Sequence, residues 1–234
     1  MKIASDLHTH TIYSHGKGTP EENVLAAVRL GLKRVAVSEH GAAHAFYGVR
    51  GEKLRGLRRE IDRLAAKYAN DIEVLMGYEC NLTGYGLCDA PEDRGLFDVT
   101  LLAFHKGVPP RDALARSALA EALGLGRADP ERIAEALLAA ADKYGIDILA
   151  HPGAYVKADV ATLAKGAAQL GVMLELNASR VTFTPGEARL AAALGARFVV
   201  NSDAHTPGRV GDFKAALDFA KLAGVPVEEW RPRA

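Results

Sequence analysis

The stretch TPEENVLAAVRLGLKRVAVSEH, residues 19–40, holds one complete structural unit. Thr19 can cap a helix whose first turn takes Pro20 and whose Glu22 closes a capping box, and Gly31 can stop it. A short polar turn follows, then a Val-rich run over 34–38, and next to its end stands His40. The same grammar returns twice. DPERIAEALLAAADKYG (129–145) uses Asp129, Pro130 and Gly145 ahead of DILAHPG. TPGEARLAAALG (184–195) uses Thr184, Pro185, Glu187 and Gly195 ahead of RFVVNSDAH.

Working outward, strands are expected near 2–7, 34–38, 72–79, 97–104, 147–150, 172–177 and 197–201. Their Val, Ile, Leu and Phe content suits parallel strands covered on both faces. Further helices are expected over 52–69, 159–170 and 211–223, and one near 111–121 within the stretch 106–128. Residues 80–96 are rich in Gly and Asp and read as a loop or hairpin. Seven strands alternating with helices define a parallel α/β fold, which either a barrel or a doubly wound open sheet would satisfy. In both, chemistry collects at the carboxyl ends of the strands.

Composition narrows the classes. At 234 residues with 49% apolar content, the chain can bury a sizeable core. No apolar run approaches the roughly 18 residues needed to span a bilayer. The start MKIASDLHTH reads as a first strand, not a signal peptide. A net charge of zero provides no whole-molecule field for a polyanion. The basic run VRGEKLRGLRRE (49–60) reads as the solvated face of a helix in preference to a phosphate-binding stripe. Cys80 and Cys88 show neither zinc-finger nor redox spacing, so a reduced cytoplasmic protein is the simplest account.

The eight histidines settle where function lies. His8, His10 and His15 crowd the end of the first strand. His40 ends the second, His105 the fourth, His151 the fifth, and Asp203 with His205 the last. Glu79 ends the third. His44 lies further along a loop that leaves the same rim. Residues i and i+2 of an extended chain share a face, so His8 with His10, and Asp203 with His205, can reach one cation together, while Cys80 turns away from Glu79. A lone strand-end histidine is usually an ordinary hydrogen-bonded residue; nine donors on one rim are not. Neutral imidazole with carboxylate suits Zn, Mn or Fe. Nine donors exceed what one catalytic zinc takes, so two or three ions are implied.

The motifs DLHTHT, SEHG, GYECN, AFH, AHPG and NSDAH occur in the order seen in the PHP (polymerase and histidinol phosphatase) superfamily, which this chain resembles nearly end to end. The resemblance implies a single PHP domain over 1–234, folded as a distorted (β/α)7 barrel of TIM-like type with a trinuclear metal centre at the carboxyl-end rim. Carried over by motif, His8, His10, Glu79 and Asp203 would hold one ion. Glu79 would bridge to a second, completed by His105 and His151. His15, His40 and His205 would hold the third. The spacing between His10 and His15 is one residue shorter than the family's more usual one, and the glycines of SHGKG could compensate.

The implied activity is hydrolysis of a small phosphate monoester by a metal-activated hydroxide, without a serine or cysteine nucleophile. Glu79 and Asp203 would be catalytic, and His44 would be the acid for the leaving group. Lys17, Arg180 and Arg209 would clamp the phosphate. Asp6 is a candidate to orient an imidazole, and Glu175 with Asn177 to line the pocket. Alternatives are a phosphodiesterase, exonuclease or cyclic-phosphate hydrolase, and a non-catalytic metal-binding module. The expected partner is a small soluble phosphoester, with no membrane; nucleic acid is not favoured and a homo-oligomer is compatible.

Overall fold

The structure, a computed structural model, describes residues 3–91 and 93–232. The first strand was expected from residue 2 and the loop or hairpin of 80–96 spans Glu92; both residues lie outside those described. The elements in order are β1 (Ser5–Thr9), α1 (Pro20–Arg29), β2 (Arg34–His40), α2 (Gly51–Lys67), β3 (Glu73–Gly84), β4 (Leu87–Cys88), β5 (Val99–Ala103), α3 (Ala113–Ala122), α4 (Pro130–Tyr144), β6 (Ile148–Leu149), α5 (Val160–Leu170), β7 (Met173–Asn177), α6 (Pro185–Ala193), β8 (Arg197–Asn201) and α7 (Lys214–Ala223).

Strands β1-β2-β3-β5-β6-β7-β8 pair in parallel in that order, and β4 pairs antiparallel with β3 alone. The sheet curls until its edges meet. A parallel bridge joins Thr9 to Ala204, His10 N–H donates to Ala204 O at 2.8 Å, and Leu7 N–H donates to the Asn201 side-chain oxygen at 2.9 Å. This seam of one bridge and one amide makes a distorted, nearly closed seven-stranded barrel of TIM-like type, with helices outside. The open-sheet alternative is set aside by that closure.

Local chemistry explains the frame. Thr19 and Thr184 form complete capping boxes with Glu22 and Glu187, which satisfies helix-start N–H groups that have no intrahelical partner. Gly145 ends α4 in the left-handed conformation at φ 60°, where a side chain would be strained. Two apolar layers hold the walls. Val35, Val37, Val74, Met76, Leu102, Leu174 and Phe198 pack outward against the helices. Leu7, Ala36, Leu75, Leu101, Ile148, Met173 and Val199 fill the inside, together with Trp230 from the C-terminal tail. The tail is tied below the barrel: Glu229 accepts from Ala4 N–H at 2.7 Å and from the Ser5 hydroxyl, and Arg34 lies 5.6 Å over the Trp230 ring.

Two sequence expectations are revised and a third holds. β3 does not end on Glu79 but runs five residues further, to Gly84, and turns through Gly86 at φ 62° into a hairpin with β4. Its continuation alternates Cys80 and Leu82, packed outward, with Asn81, directed to the site. Asp6 does not share a face with His8, because the register of β1 shifts between Asp6 and Thr9. Its carboxylate instead accepts from Ser202 N and Oγ (3.1 and 2.5 Å) and Gly211 N (2.9 Å), anchoring the loop that carries Asp203 and His205. The basic run belongs to α2, where Arg55 pairs with Glu52, Arg58 with Asp62 and Asp98, and Arg63 and Lys67 with Glu21, as a solvated face should. Among the described residues no helix is long and apolar enough to cross a membrane.

Candidate active site

Inside the barrel, apolar residues give way to polar ones toward the carboxyl ends of the strands. Buried there are His8, His10, His40, Glu79, His105 and His151, with His44 beside them. Glu79 is the hub. Its Oε1 lies 2.9 Å from His151 Nε2, 3.3 Å from His105 Nε2 and 3.4 Å from His8 Nε2. Its Oε2 lies 2.7 Å from His40 Nδ1 and 3.6 Å from His10 Nε2. Asp203 Oδ1 stands 3.3 Å from His10 Nε2 and 3.7 Å from His8 Nε2.

Donor atoms group within 4.8 Å of one another in four sets: His8–His10–Asp203, His8–Glu79–His151, His40–Glu79–His105 and His10–His40–His205. His15 is in none of the four, yet its ring centroid lies 4.8 Å from that of His40 and 4.3 Å from that of His205. The grouping differs from the motif-based one in placing His40 beside both Glu79 and His10. Seven of the nine expected donors line one cavity, and His8 and His10 lie buried behind it against Glu79 and Asp203.

These contacts fit cations better than each other. His8 Nε2 and His10 Nε2 approach to 3.2 Å, close to the roughly 3.4 Å expected for two imidazoles at about 2.1 Å from one zinc. His40 Nδ1 and Glu79 Oε2 come within 2.7 Å, yet neither atom has a properly aligned hydrogen-bond partner, and neither has His10 Nδ1. Among the described residues no lysine or arginine pairs with Glu79 or Asp203. Buried carboxylates with no lysine or arginine beside them, ringed by imidazoles, suit divalent metal ions.

Supporting groups fix the rings. His8 Nδ1 donates to Glu175 Oε1 at 2.9 Å, leaving Nε2 for the cavity. Glu175 also accepts from His151 N, Asn177 Nδ2 and Asn201 Nδ2 at 2.8–3.0 Å, so it lies behind His8 as an orienting group. His105 Nδ1 meets Asn81 Oδ1 at 2.7 Å, and His205 Nδ1 meets Asp203 O at 3.0 Å. Glu39 accepts from Thr11 N at 2.9 Å and from the Thr11 and Ser14 hydroxyls, and so pins the loop leading to His15. Backbone strain marks the same place: His151 and Asp203 are the described non-glycine residues with positive φ, at 30° and 51°, and such strain clusters at functional sites.

The cleft above the donors encloses ≈ 180 Å³ and is lined also by His44, Tyr47, Lys106 and Tyr155. A second lobe of ≈ 200 Å³ adds Ser179 and Arg180. Arg180 lies 4.8 Å over the Tyr155 ring, and Lys106 lies 5.6 Å from it. Of the three expected phosphate clamps, Arg180 lines the cleft; Lys17 and Arg209 do not, and Arg209 pairs with Asp212 at 2.6 Å. His44 stacks against His40 at 5.1 Å, and its Nδ1 accepts from Tyr47 N at 3.2 Å. Glu39, Asn81 and Lys106 were not singled out in the sequence. Lys106, next to His105, carried the plainest signal, a cation at a strand end.

Charge is split across the site. Burial alone would lower His8, His10 and His151, but the carboxylates reverse it: Glu175 and Glu79 raise His8, Asp203 and Glu39 raise His10 to about 9, and Glu79 raises His151. Burial, with neighbouring imidazoles adding to it, takes His15 and His44 down to about 4 and His40 well below its ordinary value. The raised His10 stabilises metal-free protein fully below its unfolded value near 6.5, and this contribution is lost as pH rises through about 9. Cations require deprotonated ligands. Zinc binding at neutral pH is therefore expected to release protons, seen as a calorimetric heat that varies with the buffer's ionisation enthalpy. A buffer-independent heat would contradict this assignment.

A TIM-like barrel with clustered imidazoles and carboxylates at its carboxyl-end rim defines a class, the barrels built to carry metal ions there. Residues 6–153 match the PHP domain, and the chain belongs to that family. It is 32% identical to a protein of Syntrophotalea carbinolica described as a probable phosphatase, over 98% of this chain and 91% of the relative. A second probable phosphatase, from Thermoanaerobacter pseudethanolicus, is 30% identical over 96% of this chain and 88% of its own length. Among solved structures, histidinol phosphate phosphatase from Lactococcus lactis, complexed with zinc, L-histidinol and phosphate, shares the fold at a TM-score of 0.64. It is 16% identical, with 96% of this chain and 95% of that one covered.

Proposed function

We propose that this protein is a metal-dependent phosphatase that hydrolyses a small phosphate monoester. The observation that carries the proposal is the convergence of imidazoles and Asp203 around the buried Glu79 carboxylate. Relatives described as probable phosphatases, similar over almost the whole chain, support the direction of the chemistry. In this reading His8, His10, His15, His40, His105, His151 and His205, with Glu79 and Asp203, hold two or three divalent ions such as Zn, Mn or Fe. Bound there, the ions supply a water acidic enough to attack near neutral pH and neutralise the phosphoryl oxygens.

The chain's own groups do the remaining work. Glu79, touching five imidazoles, would hold metal ions through both of its oxygens. Asp203 accepts from Asn177 Nδ2 through Oδ2 at 3.1 Å and offers Oδ1 beside His10, where it orients the attacking water. His44 accepts a backbone N–H on Nδ1, so its neutral ring carries the proton on Nε2. From the cleft wall that N–H can donate a hydrogen bond to the leaving oxygen as charge develops on it. Arg180 and Lys106, held on either lobe against Tyr155, provide positive charge for the substrate's anionic groups. The small cleft favours a small ester over a polymer.

Release of p-nitrophenol from p-nitrophenyl phosphate, dependent on added Mn or Zn and lost in His8→Ala, is the expected result. Fully metallated protein that turns over no phosphoester in a broad panel would make it a binding module. Faster cleavage of single-stranded DNA than of monoesters would replace the phosphatase by a nuclease.

A further inference from the structure

Beyond Glu79 the β3–β4 hairpin contributes no donor atom to the site, but the carboxylate of Asp89, the residue after β4, reaches two parts of it. Oδ1 accepts from Asn81 N at 2.6 Å; Oδ2 accepts from Asn81 Nδ2 and from Ala43 N, each at 2.7 Å. Among the described residues Asp89 has no cationic partner, so its acceptor capacity is spent on three N–H groups. The fit is close: a Cβ on Gly41 would lie 2.4 Å from Oδ2. Glycine at 41 is what lets the carboxylate reach the turn.

We propose that Asp89 is a positioning residue, which locks the Asn81 amide against His105 and clamps the turn that carries His44. Two consequences follow from donor and acceptor geometry. With Nδ2 committed to a carboxylate, the Asn81 amide cannot flip, and only its oxygen faces His105 Nδ1, at 2.7 Å. That oxygen requires a proton on Nδ1, so in the neutral ring the lone pair sits on Nε2, which points to Glu79 Oε1 at 3.3 Å. The Ala43 bond holds the first residues of the turn after His40. Beyond it, the turn is closed by Ala45 N donating to Gly107 O at 2.8 Å, which seats His44 near His105, ring centroids 5.9 Å apart. One carboxylate outside the donor cluster thus sets both the tautomer of a ligand and the seat of His44 on the cleft wall.

The inference rests on reading His105 as a metal ligand, and its test separates the two. Asp89→Asn is nearly isosteric but must turn an NH2 toward at least one N–H donor. With 15N-histidine labelling and His105 assigned from a His105→Gln sample, metal-free wild type measured above the imidazole titration range should show His105 protonated on Nδ1. Asp89→Asn should show mixed tautomers and faster hydrogen exchange at Ala43. In zinc competition against a chelator, Asp89→Asn should weaken the least tightly held ion by roughly 10–100-fold. The same change should add little in an Asn81→Ala background, because the effect runs through Asn81. An Nε2–H tautomer in wild type would overturn the proposal even if Asp89→Asn failed to fold. Unchanged tautomer and exchange in the variant, or an undiminished effect without Asn81, would also overturn it. Wild type that binds no zinc but shows the Nδ1–H tautomer would instead sink the phosphatase and leave the Asp89 assignment standing.

Discussion

Glu79→Gln is expected to abolish phosphoester hydrolysis and to strip the site of stoichiometric metal while leaving the barrel folded. The carboxylate touches five imidazoles within 2.7–3.6 Å, and both of its oxygens face the cavity. Burial pushes this carboxyl up, but His105, His8 and His40 outweigh that together and hold it well below the usual carboxylate range. It is therefore anionic in the folded protein, as a shared metal ligand must be. Glutamine keeps the shape but removes the charge and turns an NH2 toward one set of imidazoles. Metal ions provide several kcal/mol of transition-state stabilisation, so the loss should be roughly 10³-fold or more. Circular dichroism and metal analysis on the purified variant, beside the rate, check it. A variant retaining its ions and a tenth of the rate would remove Glu79 from the centre.

The second large effect lies at the opposite end of the barrel. Trp230→Ala should cost about 3–5 kcal/mol of stability, the range for deleting a large buried aromatic. Trp230 is only 3% exposed, sits in the inner cluster with Leu7, Met173 and Val199, and gives its carbonyl to Arg34 at 3.1 Å. Its removal opens the floor beside a cavity of ≈ 490 Å³ lined by Asp147, Arg197 and Glu229. No imidazole lines that cavity, so the folded fraction should keep its metal and its rate at low temperature. Urea unfolding beside activity measures both. A large loss of rate with unchanged stability would mean the two ends of the barrel are coupled in a way the packing does not account for.

The sequence carried the rim well and its supports poorly. Strand-end histidines were legible because parallel strands deliver their carboxyl ends to one side, so position in the chain translated into position in space. Glu175 was legible as a residue near the pocket, from its i, i+2 pairing with Asn177; its role behind His8 was not, since only the fold brings β7 to β1. Asp6 misled because the register shift in β1 breaks the alternation on which the same-face inference depends. Asn81 and Asp89 lay in a stretch whose glycines and aspartates suggested a loop or hairpin; the hairpin is there, but β3 enters the stretch as far as Gly84, and no local pattern showed which of its side chains turn to the site. Trp230 gave no periodic signal, because the tail that seats it is neither helix nor strand.

Anomalous diffraction from a zinc- or manganese-loaded crystal tests the central claim most directly. The account predicts peaks about 2.0–2.2 Å from the Glu79 carboxylate and from imidazole nitrogens of the set His8, His10, His40, His105 and His151, with Glu79 common to two of them. Loaded protein whose ions all lie away from Glu79, or a rim that takes up none at millimolar metal, would contradict it.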